Sequence, residues 1–240
     1  MLTVAELTGQ STTHLVADKL CRPTVQLQAP VFAAYAAMHK AAAEAGLALD
    51  IASGFRDFQR QQAIWNRKYY GEAPLYNTDG AQLDYQSLSP GEIVDAIMTW
   101  SALPGASRHH WGTDLDVYDP RPFAAGERQL QLIPEEYDEG GPCHELALWL
   151  QAHAHDFGFF FPYRRYIGGV AAEPWHLSYR ALAVQAQQQL SLEVLTEVLS
   201  NADIGGKEYV LSRLAELKER YIDTICDVNG QREDSGWLFG

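Results

Sequence analysis

Between Pro30 and Ala45 the chain reads PVFAAYAAMHKAAAEA. Its apolar residues recur at helical spacing and Gly46 follows as a stop, so a helix is predicted there. LALDIAS reads as a strand running into Ser53-Gly54, and Asp57 suits the N-cap of a second helix over FQRQQAIWNRKYY. Ser89-Pro90-Gly91-Glu92 forms a capping box with proline at the first helical position, which predicts a helix over EIVDAIMTWSAL. Thr113 to Tyr118 alternates in polarity and stops before Asp119-Pro120, the pattern of a strand. His144 to Phe157 is helical in pattern and leads into the aromatic run FGFFFPY.

Two stretches, 70–88 and 121–142, carry no periodicity and are rich in loop-forming residues. Loops of that length roof active sites or are simply mobile. After Trp175-His176 the pattern changes, and Arg180 to Asp227 reads as two amphipathic helices broken near residues 201–206. That quarter holds little catalytic chemistry, and a helical buttress or a homodimer contact accounts for it. The fold class expected is α+β: a small, mostly antiparallel sheet with packed helices and a C-terminal helical extension. The division expected is 1–180 for the main domain and 181–240 for the extension.

Composition adds exclusions. The 240 residues are 47% apolar, enough for one sizeable core, and the formal charge of −13 argues against a nucleic-acid or anionic-membrane surface. No stretch approaches the ~20 apolar residues of a membrane span. The start, MLTVAELTGQSTTHLVADKL, carries Glu6 and no long apolar run, unlike a secretory signal. Cys21, Cys143 and Cys226 are odd in number, far apart and outside any CxxC pair, as expected for reduced thiols. A cytoplasmic location is the expectation.

The candidate chemistry gathers at Ser107 to Val117, SRHHWGTDLDV. A catalytic zinc takes three protein ligands and keeps a fourth position open. His109 and Asp116 are seven residues apart, an odd separation that a straight strand would send to opposite faces. A turn at Gly112 removes the objection, because glycine accepts dihedrals that other residues avoid. His110 adjoins His109 on a chain where neighbours point apart, so one of the two is a ligand. Asp114 shares the parity of Asp116 and is a rival ligand. A third ligand is available from Glu173-Pro174-Trp175-His176, where the three-residue spacing sets His176 and Glu173 on one side of a turn. Glu173 beside the ion would serve as general base and acid. His153 and His155 read as helix-surface residues.

These blocks resemble, in order and spacing, the VanY-type zinc D-alanyl carboxypeptidases, which trim D-alanine from peptidoglycan stem peptides and include D,D- and L,D-enzymes. Ser53 to Arg56 with Gln61 is similar to the family's SGYRS…Q block. Ser107 to Asp116 is similar to S-x-H-x-x-G-x-A-x-D, and Glu173 to His176 to E-P-W-H. The resemblance spans roughly residues 30 to 180. It implies Zn2+ held by His109, Asp116 and His176, with Glu173 as acid/base. It implies that Arg56 meets substrate or the oxyanion, and that Ser53, Gln61 and Ser107 hold substrate polar groups. Asp57 stands where the family carries serine, and Asp114 where it commonly carries alanine.

Family and expected compartment together favour a murein tetrapeptide L,D-carboxypeptidase of peptidoglycan recycling, since a cytosolic D,D-enzyme would destroy pentapeptide precursors. The rival readings are a D,D-carboxypeptidase or dipeptidase, an endolysin-type peptidase and a non-catalytic peptidoglycan-binding module. The last would be expected to have lost one of His109, Asp116, His176 and Glu173, and all four are present. The partner expected is a stem peptide, free or on its glycan.

Overall fold

A computed structural model describes residues 1–17 and 25–226. In chain order it contains α1 (Val4–Leu7), β1 (Val16–Ala17), β2 (Gln26–Leu27), α2 (Ala29–Glu44), β3 (Asp50–Ser53), α3 (Phe58–Tyr69), α4 (Pro90–Trp100), β4 (Asp114–Tyr118), α5 (His144–His153), β5 (Phe159–Phe160), β6 (His176–Tyr179), α6 (Arg180–Gln189), α7 (Leu192–Asn201), α8 (Lys207–Ser212) and α9 (Leu214–Lys218). Every strand pair is antiparallel: β1 with β2, and a four-stranded sheet in the order β3-β4-β6-β5. The α+β class expected from the pattern is the one observed.

The N-terminal signals act as their chemistry requires. The Asp57 carboxylate accepts from the Arg60 N–H at 2.7 Å and caps α3. Ser89 and Glu92 form the reciprocal box that starts α4. The helix predicted over 144–157 is α-helical only to His153, then tightens into a 3-10 turn ended by Gly158 at φ +83°.

The central strand β4 separates two environments by simple alternation. Leu115 and Val117, with Leu177 of β6 and Ile51 of β3, are buried against α2 and α5. Each such side chain contributes roughly 1.5–3 kcal/mol of transfer free energy. Asp114 and Asp116 project to the opposite face, where His176 and Ser178 of β6 pair with them across the ladder. A greasy layer thus anchors one face while the other carries acids and an imidazole.

The C-terminal pattern is corrected in detail. Four short helices and a wide turn over Glu219–Asp223 replace the two helices expected. Ser191 caps α7 through the Val194 N–H, a break that the apolar periodicity conceals. Leu195, Leu199, Val210, Leu214 and Leu217 share a core with Trp65 of α3 and Ile97 of α4. The buttress reading therefore has a physical basis. Cys143 and Cys226 are free and buried, and Cys21 lies outside the described residues. No helix among the described residues is long and apolar enough to cross a membrane.

Candidate metal centre

Arg108–Trp111 forms a buried 3-10 turn, and Gly112 follows at φ +65°, the left-handed region that glycine occupies at little cost. A Cβ at Gly112 would also collide with the Leu15 side chain. This reversal delivers the chain into β4 with Asp116 facing His109, as the seven-residue separation required. On β4, Asp116 is paired with His176 on one side and Ser53 on the other.

Donor atoms of His109, Asp116 and His176 all lie within 4.8 Å of one another, and all three residues are buried. His109 Nε2 is 3.4 Å from Asp116 Oδ2, and His176 Nδ1 is 3.4 Å from Asp116 Oδ1. Both rings are held from behind. His109 Nδ1 lies 2.8 Å from the Gly54 carbonyl, and His176 Nε2 lies 2.9 Å from Asp114 Oδ1. With those nitrogens as N–H donors, Nε2 of His109 and Nδ1 of His176 are the ring atoms left to face Asp116, and once free of protons they turn lone pairs to an ion there. Asp116 Oδ1 is buried with no hydrogen-bond partner. An orphaned carboxylate oxygen between two imidazole nitrogens fits a divalent ion, and the N2O donor set with neutral rings suits zinc.

Asp114, the rival by parity, is turned away from this point. Its carboxylate takes Arg108 Nε at 2.8 Å, Thr113 Oγ1 at 2.5 Å, Ser178 Oγ at 3.1 Å and the outer nitrogen of His176. Burial alone would raise its pKa, but Arg108 and His176 hold it well below the carboxylate range. For His176 burial works to lower the pKa, yet hydrogen bonds to Asp114 and Glu173 and the charge of Asp116 push it up to about 10. Acid thus surrounds the imidazole in excess, an arrangement that a bound cation relieves.

Glu173 sits at the mouth of the turn that presents His176, whose N–H donates to the Glu173 carbonyl at 3.1 Å. Its carboxylate is 3.1 Å from His176 Nδ1 and 12% exposed, so it borders the ion position and still meets solvent. Trp175 is buried against Tyr137, with ring centroids 5.6 Å apart, and walls the cleft.

Arg56, Ser107, His109, Asp116, Glu173 and His176 all line one cleft of about 530 Å³. Ser53 and Gln61 stand behind Arg56 rather than on that lining. Arg56 Nη1 donates to Gln61 Oε1 at 2.9 Å and Nη2 to Ser53 Oγ at 3.4 Å. Gln61 is wholly buried, and its amide N–H donates to the Ala102 carbonyl at 2.7 Å. Both residues position Arg56. His110 is likewise occupied elsewhere, between the Arg56 carbonyl and the Gly105 N–H.

Sequence reasoning missed five contributors. Arg108 pins Asp114 and Ser178 beneath the centre, and its place between Ser107 and His109 was the available signal. Tyr163 lies with its ring 5.0 Å from that of His176 and lines the cleft. Lys68 reaches the same cleft from α3, at helical spacing from Gln61 and Trp65. Tyr221 and Ile222, beyond α9, supply a wall that no local motif announces. Both long loops also reach the rim, through Tyr76 and through Gln131 to Glu135. There the Glu136 carboxylate gathers the Gln131 and Leu132 N–H groups, and Leu132 sits at φ +56°.

A family model described as VanY, D-alanyl-D-alanine carboxypeptidase, matches residues 24–182, more than half of the chain. Two uncharacterized proteins of Haemophilus influenzae are similar to it. One is 38% identical over 126 residues (52% of this chain, 95% of the relative), the other 41% over 103 (42% and 70%). A D-alanyl-D-alanine carboxypeptidase of Enterococcus faecalis is 26% identical over 143 residues, 58% of this chain but 42% of that protein. Among solved structures, VanYB in complex with D-Alanine-D-Alanine has a TM-score of 0.51 at 22% identity, covering 81% of this chain and 92% of that one. That likeness concerns the fold.

Proposed function

Because the chain belongs to the VanY family of D-alanyl-D-alanine carboxypeptidases, a family of metallopeptidases, we propose that it hydrolyses the terminal D-alanine from peptidoglycan stem peptides at His109, Asp116 and His176. The observation that carries this reading is the convergence of two buried imidazoles on Asp116, whose Oδ1 has no hydrogen-bond partner, with Glu173 alongside. Zinc, when bound there, supplies Lewis acidity and lowers the pKa of a water toward ~7.

The chain's own residues do the rest. Glu173 accepts a proton from the attacking water as its oxygen bonds to the amide carbon. As the C–N bond breaks, Glu173 returns that proton to the departing amine. Arg56, aimed by Ser53 and Gln61, offers charged N–H groups to the tetrahedral oxyanion, and loss of one such donor typically costs ~3 kcal/mol in the transition state. Asp114 and Gly54 keep the two imidazole rings from rotating. Ser107, buried at the cleft wall, offers its hydroxyl to substrate polar groups. The catalytic unit is read as residues 1–180, with 181–240 as an extension whose Tyr221 and Ile222 close one side of the cleft.

Within this activity we assign the tetrapeptide stem as substrate, cut between the L-centre of its diamino acid and D-alanine during peptidoglycan recycling. The reason is chemical economy: an enzyme working in the cytoplasm, where pentapeptide precursors are made, would consume them if it cut D-Ala–D-Ala. Cleavage between two D-centres is the rival, and it is the activity that the family description names. D-alanine release from matched tetra- and pentapeptide stems separates the two. Faster release from the tetrapeptide is expected, and preference for the pentapeptide would transfer the assignment to the D,D reaction.

A further inference from the structure

The cleft holds two cations, Arg56 and Lys68, that form no ion pair among the described residues. Arg108 is neutralised by Asp114, but Arg56 donates only to a neutral amide and a hydroxyl, and its buried Nε has no partner. Lys68, half-buried, donates to Ser101 Oγ at 2.7 Å and forms no ion pair among the described residues. A half-buried ammonium that donates to one hydroxyl has donors left for an anion entering the cleft. Both cations line the cleft that also holds Glu173, His109, Asp116 and His176.

The proposed reaction generates two neighbouring negative groups: the tetrahedral oxyanion and the free α-carboxylate of the departing residue. We infer that Lys68, held by Ser101, is the recognition site for that α-carboxylate, leaving Arg56 to the oxyanion. This rests on the function proposed above and assigns the specificity for chain ends to a residue outside the three sequence blocks. It also gives α4 a second duty. The two residues that follow its last turn, tied to α3 by Gln61 at Ala102 and by Lys68 at Ser101, hold the ammonium at the cleft wall. The arrangement requires a substrate whose last residue ends in a free carboxylate, as in exopeptidase rather than endopeptidase action.

The test compares a stem peptide ending in D-alanine with the same peptide ending in D-alaninamide. Wild-type, Lys68→Met, Lys68→Arg and Ser101→Ala proteins are assayed in zinc-loaded form, with zinc content and circular dichroism checked. The wild type should prefer the acid strongly. Lys68→Met should raise KM for the acid roughly 10- to 100-fold, the loss typical of one charge-assisted contact, with kcat and amide turnover little changed. Lys68→Arg should restore most of the preference, and Ser101→Ala should erode it in the same direction. An unchanged acid-to-amide ratio in Lys68→Met, or an equal loss on both peptides, would reduce Lys68 to a brace between α3 and α4. A ratio that shifts with diaminopimelate against lysine in the stem would assign Lys68 to the penultimate residue and overturn the inference. Failure of the wild type to release D-alanine from any stem would instead remove the activity itself.

Discussion

Asp114 Oδ1 lies 2.9 Å from His176 Nε2, a diagonal contact across the β4–β6 ladder. The register makes it: Asp116 faces His176, and Asp114, two residues back, faces Ser178. One carboxylate is thereby directed at the ion position while the next holds the back of a ligand ring. Two acids of equal parity in the sequence acquire different work from one strand pairing.

That division predicts the behaviour of Asp114→Asn. The amide oxygen can still accept from His176, but the charge that orients the ring and neutralises Arg108 is gone. Zinc affinity should fall roughly 10- to 100-fold, the usual effect of removing a partner behind a ligand. Stability should fall by about 3 kcal/mol, because Arg108 stays buried without its counter-ion. Chelator competition and urea unfolding measure both, and unchanged zinc affinity would return the ring's orientation to packing alone.

Glu173 and His176 are separable by the same logic. Glu173→Gln should retain stoichiometric zinc and lose ~10²- to 10⁴-fold in kcat, the range for a general acid–base residue. His176→Ala should lose both metal and turnover. Metal content measured beside D-alanine release decides it. Near-normal turnover in Glu173→Gln would dismiss the proton-transfer role.

Metal uptake should release a proton. Without the ion, the pKa of His176 stands at about 10, so the ring is protonated at neutral pH. Its Nδ1 must lose that proton to face a cation, while Nε2–H remains on Asp114. Zinc affinity should therefore climb by up to about tenfold per pH unit through the neutral range. Calorimetry in buffers of different ionisation heat would show close to one proton released per zinc. An affinity flat between pH 6 and pH 9 would contradict the raised pKa.

How much of this was legible follows from where each signal sits. His109, Gly112 and Asp116 lie in one short block, and the conflict of parity that glycine resolves is visible without coordinates. Glu173 and His176 declare themselves by spacing on a turn. The fate of Asp114 was not legible, because it depends on which residue of β6 faces it. That Gln61 and Ser53 also hold Arg56 was not legible, since nothing local shows that an arginine in the same block donates to both side chains. Lys68, Tyr163 and Tyr221 reach the cleft through tertiary packing, which leaves no mark in their own neighbourhoods. The extra break at Ser191 was hidden for a simpler reason: apolar periodicity resumes in phase on either side of a capping serine.

The neutral partner of Arg56 has its own consequence. Gln61 holds the guanidinium without cancelling its charge, as an oxyanion donor needs. Gln61→Glu would keep the acceptor but pair the arginine with a carboxylate. Turnover should drop roughly 10- to 100-fold at unchanged zinc content, a fraction of the full loss of such a donor. Kinetics of the zinc-loaded variant test this, and wild-type kcat would place the oxyanion elsewhere.

The histidine that neighbours the ligand His109 sets an acid limit on the fold. His110 is fully buried, accepts from the Gly105 N–H through Nε2 at 3.1 Å, and lies with Nδ1 2.6 Å from the Arg56 carbonyl. That pattern fixes the neutral tautomer, since a second proton would displace the Gly105 contact. Burial is the main cause that carries its pKa down to about 4, and the charges of Arg56 and His109 add to it against the hydrogen bond to Arg56. An ion on His109 acts in the same direction. The unfolded chain protonates this ring near pH 6.5, the folded chain only near 4, so the unfolded state binds more protons in between. The stabilisation is therefore complete above pH 6.5 and is lost as pH falls through 4, by up to about 3 kcal/mol. Urea unfolding from pH 7.5 down to pH 4 should show that slope, and His110→Gln should flatten it while lowering stability at neutral pH. An equally steep acid loss in the variant would move the titrating group away from His110.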